Sequence, residues 1–359
     1  MRILLLSFIC IAMLFQQAVA QPRIINGVPV SDADNATWMV ALVSANKQPA
    51  KGQYCGGALI HPLWVLTAGH CTSQEQPKDI QVLVGTRNLK TLGVGKLVAV
   101  TQIIRHPDFK DDENSPASDV ALLKLATPVL DYPVLKLADL YSKLDSPGNK
   151  ATVMGWGAMN RSGWNFAINL MKTDLGIITN EVCNAEKSYD GDIGTSMLCA
   201  GFQDGHTDAC TGDSGGPLVT QTPYGWRQIG IVSFGEGCAM PNFYGVYTRL
   251  QLFQPYISQL VCQQEQPLPP PTLKLSVQGN YVTVFWDAIS QVNGYQLYYS
   301  PYPTPLGNEQ TTQSLDMHTD TQLTVELLPG MAFYVAARGY KDNCYSNYSN
   351  VMIATVPEK

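Results

Sequence analysis

Charged residues are scarce in this 359-residue chain, at 14% of the total. The 23 basic and 29 acidic side chains leave a formal charge of −6. That is too little of either sign to draw the chain onto nucleic acid or an anionic membrane surface. Apolar residues are not scarce: 45% hydrophobic content excludes wholesale disorder and suffices for a packed core. No two cysteines stand at C-x-x-C spacing, which excludes a zinc ribbon and a thioredoxin-type redox motif. The longest N-terminal apolar run, Ile3 to Phe15 with Ser7 inside it, is too short to span a bilayer. Runs with helical period are nearly missing as well.

What is there begins with an export signal. Arg2 precedes the apolar run, and Ala18-Val19-Ala20 forms a small-residue cleavage site, so residues 1–20 read as a signal peptide. A lipoprotein would need small residues before Cys10, which instead follows Phe8-Ile9. Nine cysteines suit an oxidising compartment. Cleavage after Ala20 removes Cys10 and leaves an even number. The expected location is extracellular, or periplasmic in a bacterium, with no membrane anchor.

Residues 24–262 hold many short β-branched runs separated by Gly, Pro, Asn and Asp, among them MVALV (39–43), VALLKL (120–125) and GIVSFG (230–235). This pattern predicts an all-β barrel or sandwich domain. Tyr256 to Val261 reads as a short closing helix. Residues 263–271 form a Pro-rich, semi-rigid linker, and residues 272–359 are β-patterned again at sandwich-like spacing. No long-period repeat is visible.

The chemistry starts at Gly212-Asp213-Ser214-Gly215-Gly216-Pro217. Glycines flanking a serine let the backbone approach a substrate and present N–H groups to a developing negative charge. A serine nucleophile also needs a base, and an imidazole base needs a carboxylate to fix its tautomer. Leu66-Thr67-Ala68-Gly69-His70-Cys71 offers the histidine just after an apolar run. Ser118-Asp119-Val120 offers the carboxylate at the head of another.

In their order and wording, TAGHC, DVALLKL and GDSGGP resemble the trypsin/chymotrypsin family of serine endopeptidases over nearly all of residues 24–262. The resemblance implies two packed six-stranded antiparallel β-barrels with the site between them. It implies a catalytic set of His70, Asp119 and Ser214, and an oxyanion hole from the N–H groups of Gly212 and Ser214. Arg23-Ile24-Ile25-Asn26-Gly27 is similar to the family's activation junction, so residues 21–23 are expected to be a propeptide. The freed ammonium of Ile24 would pair with Asp213. Loss of Arg2 and Arg23 would take the formal charge from −6 to −8.

By the same resemblance Asp208 forms the floor of the S1 pocket, with Ala209 beside it and Gly235 and Gly245 at its walls. A carboxylate there selects a cationic P1 side chain. Ala209 stands where some trypsin-like members have serine, and without that hydroxyl Arg is expected over Lys. Phe234 replaces the usual tryptophan, which leaves the P2–P4 preferences open. Gly69 replaces a common alanine, with no expected consequence. Residues 80–107 contain no Asp or Glu, so no calcium is expected at that loop, nor any other metal or cofactor.

The family's disulfides map onto Cys55–Cys71, Cys183–Cys199 and Cys210–Cys238. A further family bridge lacks both halves, at Thr220 and around Lys150-Ala151-Thr152. Cys262 and Cys344 remain: an inter-domain bridge, two free thiols and a covalent dimer are all open. Residues 272–357 resemble a fibronectin type III module, with Trp286 on an early strand and Phe333 where that family usually has tyrosine. Tyr334 is the neighbour that could compensate. No catalytic set appears there, so its role is binding or spacing.

His61, His106, His206 and His318 show no metal-type spacing and read as surface or strand-end residues. Asp111-Asp112-Glu113 reads as a solvated loop or, bordering the cleft, as a bias toward basic substrates. Asn35, Asn160 and Asn347 lie in glycosylation sequons. The expected protein is a monomeric zymogen of a secreted endopeptidase acting on proteins or peptides after Arg or Lys. A silent adhesion protein on the same scaffold is the rival, against which the intact His70, Asp119 and Ser214 argue.

Overall fold

The computed structural model describes residues 24–91, 93–111, 117–263 and 265–358. The expected signal peptide and propeptide, Arg23 included, lie outside the described residues, as do Asp112 and Glu113. The described chain is almost entirely β-structure.

After a two-residue strand at Val28–Pro29, six strands make the first barrel: β1 (Met39–Ser44), β2 (Gln53–His61), β3 (Trp64–Thr67), β4 (Ile80–Val84), β5 (Lys96–Arg105) and β6 (Ala121–Leu125). They close into an antiparallel barrel in the order β1-β2-β3-β6-β5-β4. Their apolar runs face one core that includes Leu42, Leu59, Val65, Val82 and Leu123, all buried. Closure leaves no unpaired edge.

Six more strands repeat the plan: β7 (Lys150–Gly155), β8 (Met171–Ile178), β9 (Met197–Gly201), β10 (Pro217–Thr222), β11 (Gly225–Phe234) and β12 (Gly245–Arg249). Their order is β7-β8-β9-β12-β11-β10, closed by β10 on β7. The circular connectivity is that of the first barrel. Val153, Leu175, Leu198, Ile229 and Tyr247 fill this second core. Where the sequence lacks a family cysteine pair, the Thr220 hydroxyl on β10 donates to the Lys150 carbonyl on β7 at 3.1 Å.

After β12, the helix α1 (Gln254–Val261) returns to the first barrel, burying Ile257 and Val261 in its core. Pro at its second position fits the first turn, where an N–H has no intrahelical partner.

Seven strands follow: β13 (Lys274–Gln278), β14 (Tyr281–Phe285), β15 (Gly294–Pro301), β16 (Gln313–His318), β17 (Gln322–Glu326), β18 (Ala332–Lys341) and β19 (Met352–Thr355). They make a three-stranded sheet β13-β14-β17 and a second sheet β16-β15-β18-β19, which the short strand Cys344–Tyr345 extends beside β18. Trp286, Tyr295, Leu297 and Val335 are buried between them. Phe333 packs on this core, while Tyr334 lies outward against Tyr302.

These sheets sit directly on the barrels. Asn343, 1% exposed, accepts from Leu137 N at 2.8 Å and donates to Ile60 O at 2.7 Å and Leu135 O at 3.0 Å. Tyr298 donates to Asp139 at 2.7 Å, Arg227 pairs with Asp316, and the Lys136 ammonium lies 4.1 Å from the Tyr340 ring centre. His318 stacks on Tyr224, and His61 meets Glu265 at 3.2 Å. A disulfide joins Cys262 to Cys344 across 82 residues. Among the described residues no helix is long and apolar enough to cross a membrane.

Candidate active site between the barrels

His70 and Asp119 come from the first barrel. β3 ends at Thr67, and a single 3-10 turn, His70–Thr72, swings the imidazole off the strand end. Gly69 packs beneath Phe109: a methyl at that position would lie 2.7 Å from the ring, so a larger residue there requires the Phe109 side chain to shift. Asp119 sits two residues before β6, where a positive φ at Ser118 turns the chain.

The Asp119 carboxylate, 1% exposed, is held by three donors. Oδ1 accepts from the His70 N–H at 2.9 Å, while Oδ2 meets His70 Nδ1 at 2.8 Å and accepts from the Ser233 hydroxyl at 2.6 Å. A carboxylate so bonded is acceptor-only, so Nδ1 carries the proton and Nε2 is left free as a base. Burial works against a charged imidazole. The hydrogen bond and charge of Asp119, with Asp111 adding to them, outweigh it and raise His70 above its usual 6.5.

Sequence reasoning missed Ser233. Its signal was a lone hydroxyl within the apolar run GIVSFG, facing the core side of a strand that enters the cleft.

Ser214 comes from the second barrel and is tied to the first. Its carbonyl accepts from Gly56 N at 2.7 Å, and the Cys55–Cys71 disulfide links the same strand to the residue after His70. Glycine at 215 is required twice over: its φ is +78°, and a Cβ there would lie 2.7 Å from the Gly56 carbonyl. His70 Nε2 lies 3.7 Å from Cys71 Sγ and makes no hydrogen bond to Ser214. Such bonds often shorten only when substrate is bound.

Gly212 has φ +92°. Among the described residues neither its N–H nor that of Ser214 has an acceptor, so both remain available to a ligand. The Gly212 carbonyl points the other way and accepts from Gln53 Nε2 at 2.8 Å. Gln53 was not singled out from sequence, because nothing in β2 marks it as facing a loop 159 residues away.

Below Ser214 lies a cavity of about 230 Å³, lined by Asp208, Ala209, Val232, Phe234, Gly235, Gly245 and Tyr247 among others. Asp208, 7% exposed, accepts from Ala239 N at 3.0 Å through Oδ2. Its Oδ1 has no partner, and neither does the buried Tyr247 hydroxyl. A Cβ at Gly245 would fall 2.9 Å from that Oδ1 and 3.0 Å from that hydroxyl, so a side chain there would occupy the space between them. Burial pushes the Asp208 carboxyl up to about 7; the nearby N–H groups of Ala239 and Ala209 pull the other way, and the Asp213 charge adds a smaller upward push. Tyr247 extends the set of S1 candidates beyond those seen in sequence. The Cys210–Cys238 disulfide braces the cavity wall, and Cys183–Cys199 lies behind it with Tyr244 and Val246.

Asp213 is fully buried and accepts from Gly157 N at 2.8 Å and Cys210 N at 3.0 Å. Burial pushes it to about 6, and no cation pairs with it among the described residues. Ile24 is also fully buried, packed with Ala167 and Met171. Cys55, His70 and Cys71 come close enough to suggest a metal set, but both sulfurs are spent in the disulfide.

The arrangement can take a proton from a serine, hold an imidazolium and receive an oxyanion. Comparison with known proteins agrees in kind. Residues 24–257 match the family model described as Trypsin. A trypsin of Saccharopolyspora erythraea is 37% identical over 213 residues, 59% of this chain and 87% of that protein. A mouse tryptase is 39% identical over 58% of this chain and 78% of its own length. The mouse transmembrane protease serine 11C is 37% identical over 63% of this chain, which covers only 52% of that protein. The family match spans well over half of the sequence, and the chain therefore belongs to the trypsin family and is a serine endopeptidase.

Proposed function

We propose that the protein cleaves peptide bonds after Arg, and less readily after Lys, with Ser214 as nucleophile, His70 as base and Asp119 as its orienting carboxylate. Gly212 and Ser214 N–H groups receive the oxyanion. The observation that carries the P1 assignment is the pair of orphaned buried acceptors, Asp208 Oδ1 and the Tyr247 hydroxyl, at the closed end of the cavity under Ser214. A buried carboxylate lacking a partner is costly, and a guanidinium supplies both charge and donors. Ala209 brings no hydroxyl to the pocket, which favours the longer, forked Arg over the compact ammonium of Lys.

The same chemistry supports a zymogen. Burial pushes the fully buried Asp213 carboxyl up to about 6, so at neutral pH it holds a desolvated charge answered by only two N–H donors; the partner we assign to that charge is the Ile24 ammonium freed by cutting after Arg23. Residues 1–20 then direct export, 21–23 are released, and 24–262 form the protease domain. Beyond the 263–271 linker, the strand order of 272–359 supports a fibronectin type III-like module. The protein acts as a monomer on protein or peptide substrates.

Initial rates on peptide amides differing only at P1 (Arg, Lys, Phe) test this, with the N-terminus verified as Ile24 and Ser214→Ala as control. Arg above Lys and far above Phe, all lost in the variant, is the expected result. Phe equal to Arg would refute the pocket assignment, and residual turnover in Ser214→Ala would refute the nucleophile.

A further inference from the structure

The Gly212 N–H can serve an oxyanion only if its peptide faces the cleft, and Gly212 itself has little to hold it. Its φ of +92° belongs to a flexible residue, and the N–H donates to nothing among the described residues. Its neighbours are held within their own barrel, Thr211 O by Ala158 N–H at 2.8 Å and Asp213 N–H by Cys210 O at 2.9 Å, but what holds the Gly212 carbonyl comes from the opposite barrel. Gln53, at the start of β2, directs both hydrogens of its amide at backbone carbonyls: Gly212 O at 2.8 Å and Cys55 O at 3.2 Å. Two acceptors facing one atom identify that atom as nitrogen and leave no alternative orientation. Three residues further along β2, Gly56 N donates to Ser214 O at 2.7 Å. The 212–214 segment is thus pinned at both ends to one strand, at one end by a side chain.

We infer that Gln53 is a positioning residue for the oxyanion hole: by holding the Gly212 carbonyl away from the cleft it keeps the Gly212 N–H aimed into it. Gln53 does not line the cavity under Ser214, and its amide reaches the site through the Gly212 carbonyl, so it acts through Gly212. This inference rests on the oxyanion-hole role proposed above. Loss of one oxyanion donor lowers kcat about 10²–10³-fold. A donor that is loosened rather than removed loses less, about tenfold.

The test uses the full-length, activated enzyme and the P1 amide that wild type cleaves fastest, so that a wrong P1 assignment leaves the comparison intact. Gln53→Met keeps the volume and removes both donors, whereas Gln53→His restores one. Gln53→Met should lower kcat about tenfold with KM within twofold. It should weaken a peptide aldehyde matched to that substrate, which forms a tetrahedral adduct, by the same factor. The corresponding alcohol fills the same subsites without an adduct, and its affinity should not change. Gln53→His should recover most of kcat. An unchanged kcat in Gln53→Met, or equal weakening of aldehyde and alcohol, would overturn the inference. Ser214→Ala measured alongside reports separately on the nucleophile: if it stays active, the site reading fails for its own reason.

Discussion

Replacing Asn343 by alanine should uncouple the C-terminal sheets from the barrels more than any other single truncation at their interface. The amide is 1% exposed and serves three backbone groups, Leu137 N–H, Ile60 C=O and Leu135 C=O, at 2.7–3.0 Å. All three partner residues are themselves at most 2% exposed, so water does not replace the amide at no cost. A made hydrogen bond contributes about 1 kcal/mol net, and a buried group left without one costs about 1–3 kcal/mol. Three such groups give a loss of about 3–5 kcal/mol. At about 1.4 °C per kcal/mol for a chain of this length, the thermal midpoint should fall by about 5 °C. The assay is calorimetry of the full chain with its disulfides intact, near neutral pH. Asn343→Asp sharpens it. The carboxylate can still accept from Leu137 N–H but faces two carbonyl oxygens. It should be at least as damaging as alanine at pH 7 and less so near pH 4, where the protonated acid regains one donor. A midpoint within about 2 °C of wild type, or an Asp variant as stable as Asn, would refute the reasoning, because it would mean the three backbone groups are satisfied without the amide.

Two further outcomes follow from the site. Burial holds the Asp208 carboxyl at about 7, above its unfolded value, so stability is full below about pH 4 and is lost progressively as pH rises to 7; on the P1 assignment proposed above, a substrate cation binds the ionised form. KM for a P1-Arg amide should therefore rise about tenfold per pH unit below 7, while KM for a neutral P1 should stay flat and its kcat follow His70 alone. Parallel pH profiles for the two substrates would contradict this. Ser233→Ala removes one of three donors to Asp119, and hydrogen bonds to charged groups are worth about 1.5–3 kcal/mol. We expect kcat to fall about tenfold at constant KM in steady-state assays, and an unchanged kcat would show that the two His70 bonds suffice.

Much of this protein is legible without coordinates. Short apolar runs bounded by turn residues announced the strands, because a half-buried strand must alternate or stay apolar along its length. MVALV lies within a barrel strand, and VALLKL and GIVSFG each overrun theirs by one residue. His70, Asp119 and Ser214 stood out because each is embedded in a local wording that few other constraints produce. What local wording does not carry is which distant residue completes a hydrogen bond. Ser233 reaches Asp119 across 114 positions, Gln53 reaches Gly212 across 159, and Asn343 reaches Ile60 across 283. Each is an ordinary polar residue whose neighbours give no hint of its partner. The shared connectivity of the two barrels left no sequence repeat, since closure needs only apolar residues facing inward and many choices satisfy that. That Phe109 lies over Gly69 is likewise a contact across 40 positions that the local wording does not carry. The cysteines at 262 and 344 left three pairings open, and only the docking of the C-terminal sheets on the barrels brings their Cα atoms to 5.7 Å. Sequence determined which chemistry and which strands, because those depend on neighbours along the chain. Tertiary structure decided which groups support that chemistry, because a buried polar atom is satisfied by whatever the fold brings within 3 Å of it.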